Sequence, residues 1–154
     1  MSLSVGDTYP ELSLPANGGR NVGFKDYKGK KLVVYFYPRD NTPGCTQEGQ
    51  DFGDLHADFV GAGADIVGIS RDSVKSHDNF VAKYQFPFTL LSDKDGEACE
   101  AFGAIVEKSM YGRKYMGIDR CTWLFDASGK LRQVWRGVKV KGHAAEVLAA
   151  VKAL

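Results

Sequence analysis

The sequence predicts an α/β fold, a mixed central β-sheet flanked by helices with an N-terminal hairpin. Three observations carry that prediction. Leu32-Val33-Val34-Tyr35-Phe36-Tyr37 and Asp65-Ile66-Val67-Gly68-Ile69-Ser70 are apolar, β-branched and aromatic runs of strand length, the pattern of strands buried on both faces. A stretch with helical spacing follows each of them, which is the grammar of a parallel βαβ unit. Further on, two short apolar runs flank the turn Asp126-Ala127-Ser128-Gly129 and read as an antiparallel hairpin, so the sheet is mixed.

Taken in order, residues 11–14 and 21–24 are strand-like around Asn17-Gly18-Gly19 and predict the opening hairpin. After the connection 26–30 comes the first buried strand. Pro38 ends it, and Arg39-Asp40-Asn41 form a polar turn. Thr42-Pro43-Gly44-Cys45 then has the order of a helix start, with Thr42 at the N-cap, Pro43 first in the helix and Cys45 third. Phe52, Leu55 and Phe59 give that helix an apolar face, and Gly61-Ala62-Gly63 stop it. The second buried strand leads into a helix over 73–84, with Val74, Phe80, Val81 and Tyr84 available for packing. A short strand over 88–91, a short helix over 97–102 and a loop at Tyr111-Gly112-Arg113-Lys114 follow. After the hairpin of 121–125 and 131–135, the helix of 143–154 docks on the sheet through Val147, Leu148 and Val151.

With 154 residues, 44% of them hydrophobic, the chain predicts one domain, 1–154, with a sizeable core. A net charge of +1 without a dense Lys/Arg stripe argues against nucleic acid or an anionic membrane as partner. The short cluster Lys28, Lys30 and Lys31 reads as a solvated strand edge. The N-terminus has neither charged leader nor apolar h-region, and no stretch reaches the roughly 18 apolar residues of a membrane span. Three cysteines, Cys45, Cys99 and Cys121, are too few for a disulfide scaffold, so a reducing, cytoplasmic location is expected. His56, His77 and His143 lack metal-ligand spacing to a cysteine and read as surface or capping residues. No Gly-rich phosphate loop occurs, no exposed apolar stripe is evident, and neither metal nor cofactor is expected.

The chemistry concentrates at Cys45. A free thiol has a pKa of about 8.5, so little of it is nucleophilic thiolate at neutral pH. The first turn of a helix offers unpaired N–H groups and the positive end of the macrodipole, which favour an anion. Placement alone leaves two readings open, a reactive thiol and an inert buried one.

The run Tyr35-Phe36-Tyr37-Pro38-Arg39-Asp40-Asn41-Thr42-Pro43-Gly44-Cys45-Thr46, with Glu48 behind it, resembles the signature of the Q-type peroxiredoxins, or bacterioferritin comigratory proteins. Pro87-Phe88-Thr89-Leu90-Leu91-Ser92-Asp93 and Ile118-Asp119-Arg120 are similar to further segments of that family, and the likeness runs through nearly the whole chain. The resemblance implies a thioredoxin-like fold. It also implies a thiol peroxidase that reduces hydrogen peroxide and organic hydroperoxides to water or alcohols, an antioxidant function. Cys45 would be the nucleophile, cycling through a sulfenic acid. Thioredoxin, glutaredoxin or a small thiol would be the reductant, and the family often includes monomers.

The same resemblance assigns roles to Pro38, Thr42 and Arg120. Arg120 would hold positive charge near the sulfur and stabilise charge developing on the leaving oxygen; its plain reading is a surface strand arginine. Thr42 would donate to a substrate oxygen while capping the helix, and Pro38 would wall the sulfur from water or simply end its strand. Glu48 is either a helix-surface carboxylate or a group that orients an arginine. The family's resolving cysteine, where present, would fall at Gln50 or within 79–82, and this chain has no cysteine at either place. Cys121 follows Arg120 on a strand, so the two should face opposite sides; Cys99 sits in a short helix beside Ala98 and Ala101. Both read as structural thiols, which points to a one-cysteine cycle. Two alternatives remain: a two-cysteine peroxidase using Cys99 or Cys121, and a thiol–disulfide oxidoreductase or chaperone module on the same scaffold. Gly44, Gly49 and Gly53 weaken the cysteine helix, which suggests that its first turns unwind to meet a reductant.

Overall fold

In the computed structural model, which describes residues 2–154, the chain opens with the expected hairpin, β1 (Ser13–Ala16) and β2 (Arg20–Gly23), joined by a single 3-10 turn over Asn17–Gly19. β3 (Lys31–Phe36), β4 (Ala64–Ser70) and β5 (Thr89–Ser92) follow as parallel neighbours, in register from Lys31↔Ala64 to Phe36↔Ile69. The hairpin β8 (Cys121–Phe125) and β9 (Leu131–Trp135) adds antiparallel to β3. The seven strands lie in the order β2-β1-β5-β4-β3-β8-β9.

β3 sits near the middle of this sheet, which is why its sequence is apolar at every position after Lys31. Leu32, Val34 and Phe36 enter one core with Phe102, Trp123 and Phe125, while Val33, Tyr35 and Tyr37 enter the other with Phe52, Phe59 and Phe80. Successive side chains point to opposite faces, so one continuous run feeds both layers. The second layer is covered by helices α1 (Pro43–Asp54), α2 (His56–Gly61), α3 (Val74–Tyr84) and α5 (His143–Lys152). The first is covered by α4 (Glu97–Phe102) and the N-terminal hairpin.

Two expectations change. The helix that starts at Pro43 is not continuous to Gly61 but breaks at Leu55, where φ is −98° and ψ 2°. Two short helices let Phe52 and Phe59 both reach the sheet, their rings 5.9 Å apart. The presumed loop at 111–114 is the tip of a separate two-stranded hairpin, β6 (Ile105–Met110) and β7 (Arg113–Ile118). Tyr111 and Gly112 turn it with φ of 52° and 77°, both positive as in a type I′ turn. Its faces are mostly wet, so no apolar alternation marks it. Met110, Tyr111, Tyr115 and Met116 are exposed there, an apolar surface that the composition did not disclose. Among the described residues no helix is long and apolar enough to cross a membrane.

Candidate active site

Cys45 lies in the first turn of α1, as the Thr42-Pro43 start predicts, but its thiol points inward and is only 2% exposed. Arg120, at the mouth of β8, reaches it from the neighbouring strand: Nη2 donates to Cys45 Sγ at 3.3 Å. Nη1 of the same guanidinium donates to Glu48 Oε1 at 2.6 Å. Glu48, one helical turn beyond Cys45 on the same face, is buried. The planar fork of arginine makes the two contacts from two separate nitrogens held in a fixed geometry, whereas an ammonium would have to serve both from one nitrogen. Gly44 has no Cβ to crowd this arrangement; one placed there would stand 3.3 Å from Arg120 Nη2.

Glu48 carries an electrostatic conflict. Burial pushes its carboxyl up, the Arg120 contact pulls it down, and burial prevails, leaving it at about 7. Its second oxygen, Oε2, is buried without a hydrogen-bond partner among the described residues. Glu48 is therefore not a helix-surface carboxylate: it is buried and paired with Arg120.

Of the other predicted residues, Thr42 holds the N-cap position without capping the helix. Its hydroxyl donates to the Arg39 carbonyl at 2.9 Å and accepts nothing from the helix N–H groups. Pro38 is exposed just beyond β3. The glycines of α1 have a packing reason. A Cβ on Gly49 would lie 2.6 Å from the Phe86 ring, and one on Gly53 would lie 3.4 Å from Pro87, so Gly49 is where the aromatic layer meets the helix backbone.

The loop between β3 and α1 is held by groups that residue type alone did not single out. Asp40 is buried, and its carboxylate accepts from Tyr37 at 2.5 Å, Ser76 at 2.8 Å and His77 Nδ1 at 2.7 Å. His77 Nε2 meets the Leu91 carbonyl at 2.8 Å. Both ring nitrogens are thus engaged, one by a carboxylate and one by a backbone carbonyl. His77 is fully buried and His143 nearly so, with Thr122 at 2.8 Å from the latter. Of the two expected readings, surface or capping, burial removes the first for both, whereas His56 is partly exposed. The legible signal was Asp40 itself, an acidic residue between a strand and the cysteine helix.

Cys99 and Cys121 are free and fully buried. Both belong to the core on the opposite side of the sheet from Cys45. Burial pushes the Cys121 thiol up to about 12 and the Cys99 thiol well above its ordinary value. Trp123 Nε1 donates to Cys121 at 3.2 Å. As expected, Arg120 and its neighbour Cys121 face opposite layers.

Comparison with known proteins matches residues 5–134 to the AhpC/TSA family. The Peroxiredoxin Bcp of Xanthomonas campestris is 54% identical over 93% of this chain and 89% of its own length. That of Bacillus subtilis is 45% identical over 99% of this chain and 97% of its own. The chain belongs to the AhpC/TSA family as a peroxiredoxin of the Bcp, or Q, group. Solved structures of this peroxiredoxin group superimpose on it closely. The Cys-to-Ser variant of Xylella fastidiosa PrxQ gives a TM-score of 0.94 at 44% identity, covering 99% of this chain and 98% of its own. The Xanthomonas campestris bacterioferritin comigratory protein, whose structure was described for its alkyl peroxide reduction, gives 0.90 at 51%, covering 96% and 98%. The peroxiredoxin is a thiol peroxidase with a thioredoxin-like fold.

Proposed function

We propose that this peroxiredoxin reduces hydrogen peroxide and alkyl hydroperoxides at Cys45 in a one-cysteine cycle completed by an external thiol. One observation carries the reading: a single guanidinium is hydrogen-bonded to Sγ and fixed from behind by a buried carboxylate. In the first step the Cys45 thiolate attacks the hydroxyl oxygen of the peroxide. The S–O bond forms as the O–O bond breaks, and the leaving oxygen takes up a proton to depart as water or an alcohol. Charge that moves from sulfur to that oxygen stays within reach of Arg120, a preorganised donor that needs no rearrangement during the step. Thr42 re-aims its hydroxyl from Arg39 toward the substrate, and Pro38 forms the outer wall of the site. Glu48 is a positioning residue, acting through Arg120. The sulfenic acid is then reduced by thioredoxin, glutaredoxin or a small thiol.

The remaining expectations accompany this reading: 1–154 acts as one domain, as a monomer, in the cytoplasm. The position of Cys99 and Cys121 across the sheet supports one cysteine over two.

The test is peroxide consumption under excess dithiothreitol by the wild type, Cys45→Ser, Cys99→Ala and Cys121→Ala, with intact mass after one equivalent of peroxide. Activity disappears in Cys45→Ser alone, and the wild type yields a trappable sulfenic acid. A product lighter by two hydrogens that vanishes in Cys99→Ala or Cys121→Ala overturns the one-cysteine cycle. Full activity in Cys45→Ser overturns the role of Cys45.

A further inference from the structure

We infer that the surface groove on either side of Asn41 and Lys83 binds the reductant of Cys45, a low-molecular-weight thiol that carries free carboxylates. The inference rests on the peroxidase reading above.

The groove forms where the end of α3 meets the loop before α1. Asn41 adopts a positive φ of 57°, a conformation that asparagine tolerates better than most residues. Its Oδ1 accepts from Tyr84 at 3.0 Å and from Lys83 Nζ at 3.4 Å. On one side lies a hollow of about 380 Å³ walled by Lys75, Ser76, Asn79 and Phe80. On the other lies one of about 390 Å³ walled by Thr42, Pro43, Thr46 and Gln50. Asn41 and Lys83 belong to both, and each hollow is of the size that small-molecule sites take.

The walls select the ligand's charge. Lys75 and Lys83 have no carboxylate partner among the described residues. Among the described residues the one carboxylate that lines the groove, Asp40, already accepts from Tyr37, Ser76 and His77. Asp78, on the outer side of α3, is taken by the Gly18 N–H at 2.7 Å. Lys83 Nζ touches only the Asn41 amide and the Tyr84 ring, so two ammonium groups without a carboxylate partner, set among amides and hydroxyls, form a site for carboxylates.

The ligand's reactive group follows from what the chain lacks. Cys99 and Cys121 are on the far side of the sheet, and α3 presents Asn79 and Phe80 to the groove instead of a thiol. The other hollow is built on the first two turns of α1, the segment that carries Cys45. The sulfur itself does not line it. Oxidation changes that balance: the sulfenic acid adds an oxygen to a closely packed position and cancels the anionic charge that Arg120 faces. Both effects weaken what holds the first turn inward, and Thr42, Pro43 and Thr46 lead from that turn into the groove. There the ligand's thiolate attacks the Cys45 sulfur. The S–S bond forms, the S–O bond breaks, and the oxygen leaves as water with the thiol's proton. A second equivalent of thiol displaces Cys45 and leaves as the symmetrical disulfide.

The experiment compares two probes on pre-oxidised protein, glutathione with its two carboxylates and 2-mercaptoethanol with none. For wild type and Lys75→Gln/Lys83→Gln, the second-order rate of sulfenic acid reduction is measured with each. The glutathione-to-mercaptoethanol ratio falls about tenfold in the double variant, equivalent to about 1.4 kcal/mol. Lys75→Arg/Lys83→Arg keeps the ratio. Oxidation of Cys45 by peroxide changes less than about twofold in either variant, and 0.5 M salt brings the wild-type ratio toward that of the glutamine variant. An unchanged ratio in the glutamine variant overturns the groove assignment, as does reduction by a protein thiol with glutathione inert. Absence of dithiothreitol-supported turnover in the wild type is the separate result that overturns the peroxidase reading itself.

Discussion

Arg120 is asked to do two things at once, and its replacement separates them. Nη2 lies 3.3 Å from Sγ. A unit charge at that distance from a thiolate is worth about 1 kcal/mol at the permittivity of water and about 5 kcal/mol at an effective value of about 20. The part that survives into the transition state should then lie near 1.5–3 kcal/mol, the usual worth of a hydrogen bond to a charged group. Arg120→Met therefore lowers the second-order rate of Cys45 oxidation by roughly 10- to 150-fold. It also leaves Glu48 buried without its partner; burial already holds that carboxyl at about 7, so it protonates and the loss is that of an unsatisfied buried polar group, about 1–3 kcal/mol of stability. The double variant Arg120→Met/Glu48→Met removes that buried polar group. Urea unfolding should show its stability back near wild type, while quenched-flow oxidation of Cys45 stays as slow as in Arg120→Met. If the double variant oxidises at the wild-type rate, Arg120 is a structural partner of Glu48 and the electrostatic argument fails.

Two further outcomes follow from the same geometry. Gly49→Ala puts a Cβ 2.6 Å from the Phe86 ring, so it destabilises by about 1–3 kcal/mol through overpacking, although alanine is the better helix former by about 1 kcal/mol; a gain in urea midpoint contradicts this packing. Glu48 has its carboxyl raised from an ordinary 4.5 to about 7 by burial, so its ionised form is less favourable folded than unfolded. Its contribution therefore costs nothing below pH 4.5 and lowers stability as pH rises through 7, by at most about 3 kcal/mol. Glu48→Gln lacks this cost, so its stability relative to wild type improves between pH 4.5 and pH 8; a difference that stays flat over that range refutes the conflict described at Glu48.

Local sequence was enough for much of this molecule. The apolar run of β3, the Thr42-Pro43 start of α1 and the Ser73 cap of α3, which accepts from Ser76 N–H at 3.1 Å, are encoded within a few residues, where propensity and capping act. The motif around Cys45 was legible for the same reason. The β6–β7 hairpin was not, because both its faces meet water and its turn uses Tyr111 where Asn or Asp would have announced it. Nor was the break at Leu55, which is set by where Phe52 and Phe59 find the sheet.

Tertiary structure decided what no local pattern contains. Arg120 lies 75 positions from Cys45 and His77 lies 37 from Asp40, and such pairs meet only because β8 pairs with β3 and α3 packs beside it. It also decided the fate of the other thiols: where the chain enters β8, Arg120 turns to one face and Cys121 to the other, so the sheet stands between Cys45 and both remaining cysteines. The sequence by itself determined which chemistry this protein carries and which short segments hold it. Which distant groups complete that chemistry depends on strand order and packing, because burial and charge pairing are properties of the assembled core.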